Sequence, residues 1–318
     1  MRRIAIFALS TLLATSAFAS TDTIRKGFNV APGGTLRLDT GLGKIKIVSG
    51  GTGVAIEVVR TADGRDGEER MRSHKIDIRQ SGNDVVIDAP LESRRGSFFN
   101  WSDYEVQWNI RVPSSYNLDV RTSGGSIELA DIGGTVQART SGGSIRTGRL
   151  AGESTLKTSG GSIRVASAGA PLVVATSGGS IRIGDTTGSV EARTSGGSIH
   201  VGRIGGDLVA KTSGGGIEID GNAGRIDATT SGGSIDAKIT SPLGGDSRLS
   251  TSGGHVHVAI ANGVNLDIDA KSSGRIDSDI PVTMEGSVSR NKLRGRIGTG
   301  GPSLVLRSSG GGIRIRNI

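Results

Sequence analysis

Apolar and polar residues alternate along most of this chain, and the alternation itself repeats every 18 residues. The string Thr-Ser-Gly-Gly begins at Thr122 and returns at 18-residue steps through Thr230. Each period contains two short alternating segments separated by glycines, such as Ser198-Ile199-His200-Val201 and Asp207-Leu208-Val209-Ala210. Alternation with a period of two indicates β-strands that bury one face. A fixed period over this length predicts stacked units rather than a globule with one central core.

The pattern predicts an all-β chain folded as a single parallel β-solenoid, a β-helix whose 18-residue coils contain two strands each. Right-handed winding is favoured because parallel crossovers are overwhelmingly right-handed. Glycines at the corners supply either a positive φ or room for two backbones to approach. The buried positions should form a column of isoleucines, facing a column of larger residues followed by alanines. These are Ile127, Ile145, Ile163, Ile181, Ile199, Ile217 and Ile235, facing Val136, Leu172, Val190, Leu208 and Ile226 with Ala138, Ala192, Ala210 and Ala228.

The regularity of the period divides the chain into four segments. Residues 1–19 have the form of a secretion signal, with Arg2-Arg3, an apolar run and the small-residue cleavage site Ala17-Phe18-Ala19. Residues 20–117 are predicted to hold divergent coils with excursions, 118–239 the regular repeats and 240–318 irregular coils. One continuous solenoid should run from about 28 to 318.

The less regular segments carry finer expectations. Residues 28–60 are interpreted as a first coil with Val54 and Ile56 on its second strand, and 61–73 as a charged excursion with a short helical turn. Three strands are predicted at Lys75–Arg79, Asp84–Asp88 and Tyr104–Val112. Near the end of the chain, the insertions Ser241–Asp246 and Ser289–Arg296 should bulge from corners. The segment ending at Ile318 should form an unpaired edge strand, blunted by its arginines.

One loop stands out by its aromatic content. Five of the seven aromatic residues that follow the signal segment lie between Phe98 and Trp108. With neighbouring arginines they form a candidate binding loop, either a stacking platform for sugars or a docking patch for a protein. The alternative interpretation is a loop that covers the side or end of a thin core. The candidate residues are Arg94, Arg95, Phe98, Phe99, Trp101 and Tyr104.

The signal segment, the charge and the composition indicate where the protein acts and which partners suit it. The signal segment predicts export to the periplasm or the cell surface, and no later segment of the sequence is apolar enough to predict a transmembrane helix. Cysteine is absent, so no disulfide is expected. The formal charge of +8 suits an anionic surface polymer, and it equally suits solubility. Nucleic acid is not an expected partner, because export would separate the protein from the nucleic acid of the cell and the sequence contains no nucleic-acid recognition motif.

The polar residues that face outward decide whether the chain could be catalytic or bind a metal ion. The outward column after each isoleucine reads Glu128, Arg146, Arg164, Arg182, His200, Glu218, Asp236 and His257. Glu218 and Asp236 should lie one coil apart, which is about the separation of a retaining glycosidase pair. Stacked polar residues are nevertheless ordinary on a solvated solenoid face. The repeat lacks the Gly and Asp ligands of calcium-binding nonapeptides, and His255 with His257 supplies only two metal ligands. No enzyme activity, metal or cofactor is expected.

Three features together resemble a known family. They are the opening Phe28-x-Val30-x-Pro-Gly-Gly-Thr-Leu36, the strand ending at Val112-Pro113, and the Thr-Ser-Gly-Gly-Ser-Ile repeats. They are similar to the bacterial putative-adhesin family of β-strand repeat domains, long known as a domain of unknown function. The resemblance covers about residues 28–318, and it implies a β-solenoid and an adhesin-like role with no catalytic residues to transfer.

The resulting hypothesis is an exported, non-enzymatic, adhesin-like rod with a binding or structural role in the bacterial envelope. Its partner would be a surface polysaccharide or an envelope or matrix protein. Two alternatives stay open at this point. One is a periplasmic scaffold that self-associates through the solenoid ends, and the other is a polysaccharide-active β-helix enzyme.

Overall fold

The computed structural model describes residues 19–91, 103–285 and 289–318. Within these ranges the chain is nearly all β, and most of its strands lie in two long, mostly parallel sheets. One helix, α1 (Gly64–Ser73), interrupts the strands near the start of the described chain.

In spatial order, the described strands of the first sheet are β1 (Ser20–Phe28), β4 (Val54–Ala62), β7 (Tyr104–Val112), β3 (Lys44–Ser49), β9 (Ile127–Leu129), β11 (Ile145–Leu150), β13 (Ile163–Ala168), β15 (Ile181–Ile183), β17 (Ile199–Ile204), β19 (Ile217–Asn222), β21 (Ile235–Ile239), β23 (Val256–Ile260), β29 (Ile313–Asn317) and β25 (Ile276–Ser278).

Those of the second sheet are β26 (Thr283–Met284), β27 (Lys292–Ile297), β24 (Leu266–Ser272), β28 (Ser303–Ser308), β22 (Ser247–Thr251), β20 (Ile226–Thr230), β18 (Leu208–Lys211), β16 (Val190–Arg193), β14 (Leu172–Ala175), β12 (Ser154–Lys157), β10 (Val136–Thr140), β8 (Asn117–Thr122), β2 (Thr35–Thr40), β6 (Asp84–Ala89) and β5 (Asp77–Ser81).

From β8 to β21 the strands alternate between the two sheets, and each pairs in parallel with the strand one sequence period away. Ile145, for example, is in register with Ile127 on one side and Ile163 on the other. The seven isoleucines predicted to form a column are each at most 1% exposed. The prediction that they form one buried column is confirmed, because alternation turns every first position of these strands toward the facing sheet.

The facing column in the second sheet follows the prediction, except that the larger and smaller inward residues change places in one strand. The predicted Val, Leu, Ile and Ala positions are buried. In β12 the order is reversed, with Ser154 at the large position and Leu156 at the small one, and both are buried. The Ser154 hydroxyl donates to the carbonyl of Gly152 at 2.9 Å, so this buried polar group is satisfied.

Buried threonines join each corner of the regular part to the corner before it. The Thr158 hydroxyl donates to the carbonyl of Gly143 in the preceding corner at 2.7 Å, and it accepts the N–H of Gly161 in its own corner at 3.3 Å. One side chain therefore satisfies backbone groups of two corners at once. The same two hydrogen bonds recur at Thr140, Thr176, Thr194, Thr230 and Thr251.

The second glycine of each corner is required by close backbone approach. A Cβ at Gly161 would lie 2.0 Å from the carbonyl oxygen of Gly143, whereas at Gly160 its nearest neighbour would be 3.5 Å away. Neither glycine has a positive φ. Of the two roles considered from sequence, close approach is the one that applies at these corners.

The start of the described chain differs from the predicted first coil. β4, which contains Val54 and Ile56, does not enter the second sheet but runs antiparallel to β1 and β7 in the first sheet. The chain reverses at Gly50, whose φ of 110° favours glycine and whose N–H donates to Val112. The strands expected at 75–79, 84–88 and 104–112 correspond to β5, β6 and β7, and α1 is longer than the single turn expected.

The end of the chain also differs from expectation. β29 lies between β23 and β25, and β28 lies between β22 and β24, so the last strand is not an edge. Part of the segment expected to bulge, Lys292–Ile297, is strand β27 and pairs antiparallel with β24. The alternation of Leu293, Gly295 and Ile297 toward the core explains why this basic segment forms a strand. In the other insertion, Leu243 is buried.

Replacing Gly161 by alanine should destabilise the protein, because the new methyl would overlap a backbone oxygen that cannot move without disturbing the next corner. Overpacking of this kind costs about 1–3 kcal/mol. Gly160→Ala, one residue away, should change the free energy of unfolding by less than about 1 kcal/mol and in the stabilising direction. Urea unfolding of both variants measures the difference, and equal effects would contradict the close-approach explanation.

Truncating the isoleucine column should be costly, whereas truncating its outward neighbour should not. Ile181→Ala removes a fully buried side chain and should lower the free energy of unfolding by about 2–5 kcal/mol. Arg182→Ala on the exposed face should change it by less than about 0.5 kcal/mol. Denaturant melts that gave similar losses for both would contradict the assigned faces.

Candidate functional site

The candidate binding loop is only partly within the described residues. Arg94, Arg95, Phe98, Phe99 and Trp101 lie outside them, so the choice between binding and covering stays a prediction for these five. The sixth, Tyr104, is the first residue of β7 and is 2% exposed. Tyr104 therefore belongs to the core and not to an exposed binding surface, because alternation along β7 turns it inward with the buried Trp108.

Tyr104 forms a buried polar pair with His74, the residue that follows α1. The Tyr104 hydroxyl lies 2.8 Å from Nδ1 of His74, and Nε2 of His74 lies 3.3 Å from the carbonyl oxygen of Ala89. A carbonyl only accepts, so Nε2 carries the proton and Nδ1 accepts from the tyrosine hydroxyl. The pair thus joins α1, β6 and β7 around a neutral imidazole.

Burial shifts both ionisation equilibria toward the neutral forms. Desolvation lowers the pKa of His74 below its ordinary value of 6.5, and the nearby Arg60 guanidinium lowers it further. Desolvation raises the pKa of Tyr104 to about 12. Arg60 itself donates to Asp22 of β1 and to the carbonyl of Met71 in α1. These groups hold the helix onto the sheet, and their arrangement fits a structural role.

The two carboxylates considered as a catalytic pair are each engaged by a histidine on the open face of the first sheet. Nδ1 of His200 lies 2.9 Å from Glu218, and Nδ1 of His257 lies 3.0 Å from Asp236. The side chains of Glu218 and Asp236 are 58% and 57% exposed. The general acid of a glycosidase is normally enclosed in an apolar pocket, whereas both of these carboxylates lie on an exposed sheet face.

His255 and His257 lie together, as their spacing predicts. Their rings stack with centroids 5.9 Å apart. Nδ1 of His255 accepts the N–H of Gly312, and His257 is occupied by Asp236. Within the described ranges, no group of three His, Cys, Asp or Glu side chains is placed to hold a metal ion.

Two rows of basic side chains flank the same line of Thr-Ser-Gly-Gly corners. In the first sheet Arg146, Arg164 and Arg182 are direct register partners. In the second sheet Arg139 is in register with Lys157. All five side chains are exposed. We refer to Arg139, Arg146, Lys157, Arg164 and Arg182, together with the corner serines between the two rows, as the basic edge.

The serines of the basic edge are exposed along its whole length. Ser141, Ser159 and Ser177 stand at successive corners and line a groove of about 440 Å³ together with Arg139 and Lys157. Asp39 and Arg121, which are register partners on β2 and β8, line the same groove. A second row of serines caps the backbone, since Ser144 accepts the N–H of Ser162 at 3.2 Å and the contact recurs along the row. The groove runs in the direction in which the strands of the second sheet stack.

The cations of the basic edge differ from Arg203 and Arg225 at the opposite corners, whose side chains pair with carboxylates. No hydrogen bond or ion pair within the described part of the chain engages the five side chains. At the opposite corners, Arg203 donates to Asp185 at 3.1 Å, which lowers the pKa of that carboxyl, and Arg225 lies 3.9 Å from Asp207. Sequence reasoning found the first-sheet column but did not combine it with Arg139 and Lys157. The seven-residue step from Arg139 to Arg146 across a corner was the available signal.

No helix among the described residues combines the length and the apolar character needed to cross a membrane.

No protein-family model matches the chain, and no curated protein matches it. Solved structures of low similarity include a putative adhesin from Bacteroides fragilis at 10% identity and a TM-score of 0.33. Others are a putative adhesin and a putative lipid binding protein from Parabacteroides distasonis, at 10% and 12% identity with TM-scores of 0.35 and 0.37. In each case the match covers 93% of this chain and 97% of the other.

The buried His74–Tyr104 pair makes stability depend on pH in a defined direction. Because the pKa of His74 is lowered in the folded state, the pair contributes stability above pH 6.5, and this is lost as the pH falls and the unfolded chain takes up a proton first. The free energy of unfolding should therefore decrease between pH 7.5 and pH 5.5. Urea melts across this range measure the decrease.

The control for this prediction is a pair of histidine variants. His74→Gln should remove most of the pH-dependent decrease, while His200→Gln on the exposed face should leave it in place. A decrease that persists in His74→Gln would show that another group causes it.

Proposed function

We propose that this protein is an exported, non-enzymatic rod with an adhesin-like binding role in the bacterial envelope, built as one right-handed parallel β-solenoid of 18-residue coils. The observation that carries the proposal is the register of the strands. Equivalent residues of successive periods lie side by side on neighbouring, hydrogen-bonded strands. An exposed residue type that recurs every period in the sequence therefore forms a straight row on the surface. Rows of this kind suit a partner that is itself extended and repetitive, since many weak contacts act together.

Several observations support the solenoid interpretation. Successive strands of the regular segment enter the two sheets alternately, and the corner threonines join neighbouring periods without exception from Thr140 to Thr230. Because every period is connected to the next in the same way, all of the turns around the stack must have the same handedness. The preference for right-handed crossovers favours a right-handed stack.

Export is supported by the sequence, in which Arg2-Arg3, an apolar run and the small residues Ala17-Phe18-Ala19 have the form of a cleaved signal segment. The mature chain would lie in the periplasm or on the cell surface.

The exposure and the histidine partners of the acidic residues favour a binding role over catalysis. Glycoside hydrolysis needs one carboxyl that keeps its proton at working pH. Glu218 and Asp236 are instead exposed and joined to His200 and His257. Their positions are better explained as part of a row of surface charges.

The alternative of a self-associating scaffold has one observation in its favour. Among the described strands, the nine-residue β1 pairs with β4 alone, and such an edge can accept another strand. At the other end of the same sheet, β25 has three residues, and in the second sheet β26 has two. One long edge would limit the assembly to pairs of molecules, whereas a filament needs a usable edge at both ends.

The proposal is tested with the chain from Ser20 to Ile318, purified and applied to arrays of bacterial envelope glycans and matrix proteins. We expect a monomer by sedimentation that is retained on at least one class of extended polymer. Mass that rises with concentration, with no retention on either array, would instead support the scaffold. Turnover of a retained polysaccharide would contradict the non-enzymatic assignment.

A further inference from the structure

We infer that the basic edge binds a linear polysaccharide that carries a carboxylate on each sugar, a polyuronate, lying across the coils along the row of corner serines. The inference rests on the proposed binding role and assigns it one surface and one class of ligand. Its central observation is that two rows of cations, one in each sheet and without an ion-pair partner among the described residues, flank the same line of exposed corner serines.

The arginine row is unfavourable for the fold by itself. Arg146, Arg164 and Arg182 are direct neighbours on parallel strands, and like charges placed opposite each other destabilise a sheet. Glu128 precedes the row in register, yet it forms no ion pair with Arg146 among the described contacts. At the other end, His200 is already joined to Glu218. The row therefore has unused capacity for an external anion, and guanidinium groups bind carboxylates in a two-pronged geometry.

The spacing of the basic edge matches a polymer better than a single small anion. Neighbouring strands lie about 4.8 Å apart, so each row presents one cation per step of that length. A step of this size is close to the length of one sugar unit in an extended chain. The hydroxyls of Ser141, Ser159 and Ser177 line the same groove as Arg139 and Lys157, and they can both donate to and accept from sugar hydroxyls.

Two other polyanionic partners fit the surface less well. Proteins that bind single-stranded nucleic acid combine a basic groove with exposed aromatic rings, and no aromatic residue from the described part of the chain lines the groove beside the corner serines. A second copy of the chain would have to offer free carboxylates. Further along the same face, Asp236 is joined to His257 and Asp220 to Lys238.

The test measures binding of polygalacturonate, with neutral dextran of similar length as the comparison polymer. The test variant combines Arg146→Gln, Arg164→Gln and Arg182→Gln. The control variant combines Arg149→Gln, Arg203→Gln and Arg225→Gln, which removes the same charge from the opposite corners. Isothermal titration calorimetry should show binding of polygalacturonate but not dextran by the unmodified chain, and binding that weakens as salt increases.

The test variant should bind polygalacturonate about tenfold to a hundredfold more weakly, because exposed charge contacts contribute a few-fold each. The control variant should change affinity by less than about threefold. The double variant Arg139→Gln with Lys157→Gln should give an intermediate loss and provides an independent measurement on the second sheet. The melting temperature of the test variant should equal or exceed that of the unmodified chain, since repulsion between the arginines is removed.

Four outcomes would overturn the assignment. They are equal losses in the test and control variants, equal binding of dextran, displacement of polygalacturonate by a single-stranded oligonucleotide at equal charge concentration, and self-association that the test variant abolishes. If the unmodified chain and the test variant bind a matrix protein or neutral glycan equally well, the binding role stands and the basic edge is not its site. If neither the unmodified chain nor the test variant binds any polymer, both the assignment of the basic edge and the proposed binding function are wrong.

Discussion

The contact between one corner and the next is the constraint on which the regular part of the structure depends. A threonine hydroxyl bonds the carbonyl of the preceding corner, and the second glycine passes so close to that carbonyl that no side chain fits. Each corner thus fixes the position of its neighbour in every direction. The buried isoleucines then stack in register as a consequence, because the corners leave them no other alignment. Apolar burial stabilises the stack, but the corners determine its register.

The same constraint explains why the ends of the molecule look different from its middle. A parallel stack in which every unit resembles the next would present an open strand edge at both ends. Here the chain departs from the repeat at both ends and uses antiparallel strands instead, β4 with β1 and β7 at one end and β27 with β24 and β26 at the other. α1 and the His74–Tyr104 pair belong to this arrangement at the first end. The departures from the period therefore complete a structure that the period alone leaves unfinished.

The all-β class, the buried isoleucine column and the strand Tyr104–Val112 could be predicted from sequence because they depend on contacts that recur or alternate locally. The placement of β4 and of the last two strands could not. Their alternation is the same whether they join one sheet or the other, and whether they lie inside a sheet or at its edge. The spatial order of the strands depends on turns such as the one at Gly50. The alternation of apolar residues does not show in which direction the strand after such a turn runs.

The candidate site was predictable to a lesser degree. Clustered aromatics drew attention to Tyr104, although β alternation alone places it on the same face as Trp108 and Ile110. The basic edge was partly visible as a column of arginines. Its significance depends on which cations find a carboxylate in the folded chain, and Arg203 and Arg164 look alike in the sequence while only Arg203 is paired.

The position of β28 and β29 has a consequence for how the chain is made. These strands span Ser303–Asn317, yet they lie between β22–β23 and β24–β25, which precede them in the sequence. During synthesis β24 and β25 therefore emerge before the strands that become their parallel neighbours. Neither can take its native place in the two sheets until β28 and β29 have been synthesised and have inserted beside β22 and β23.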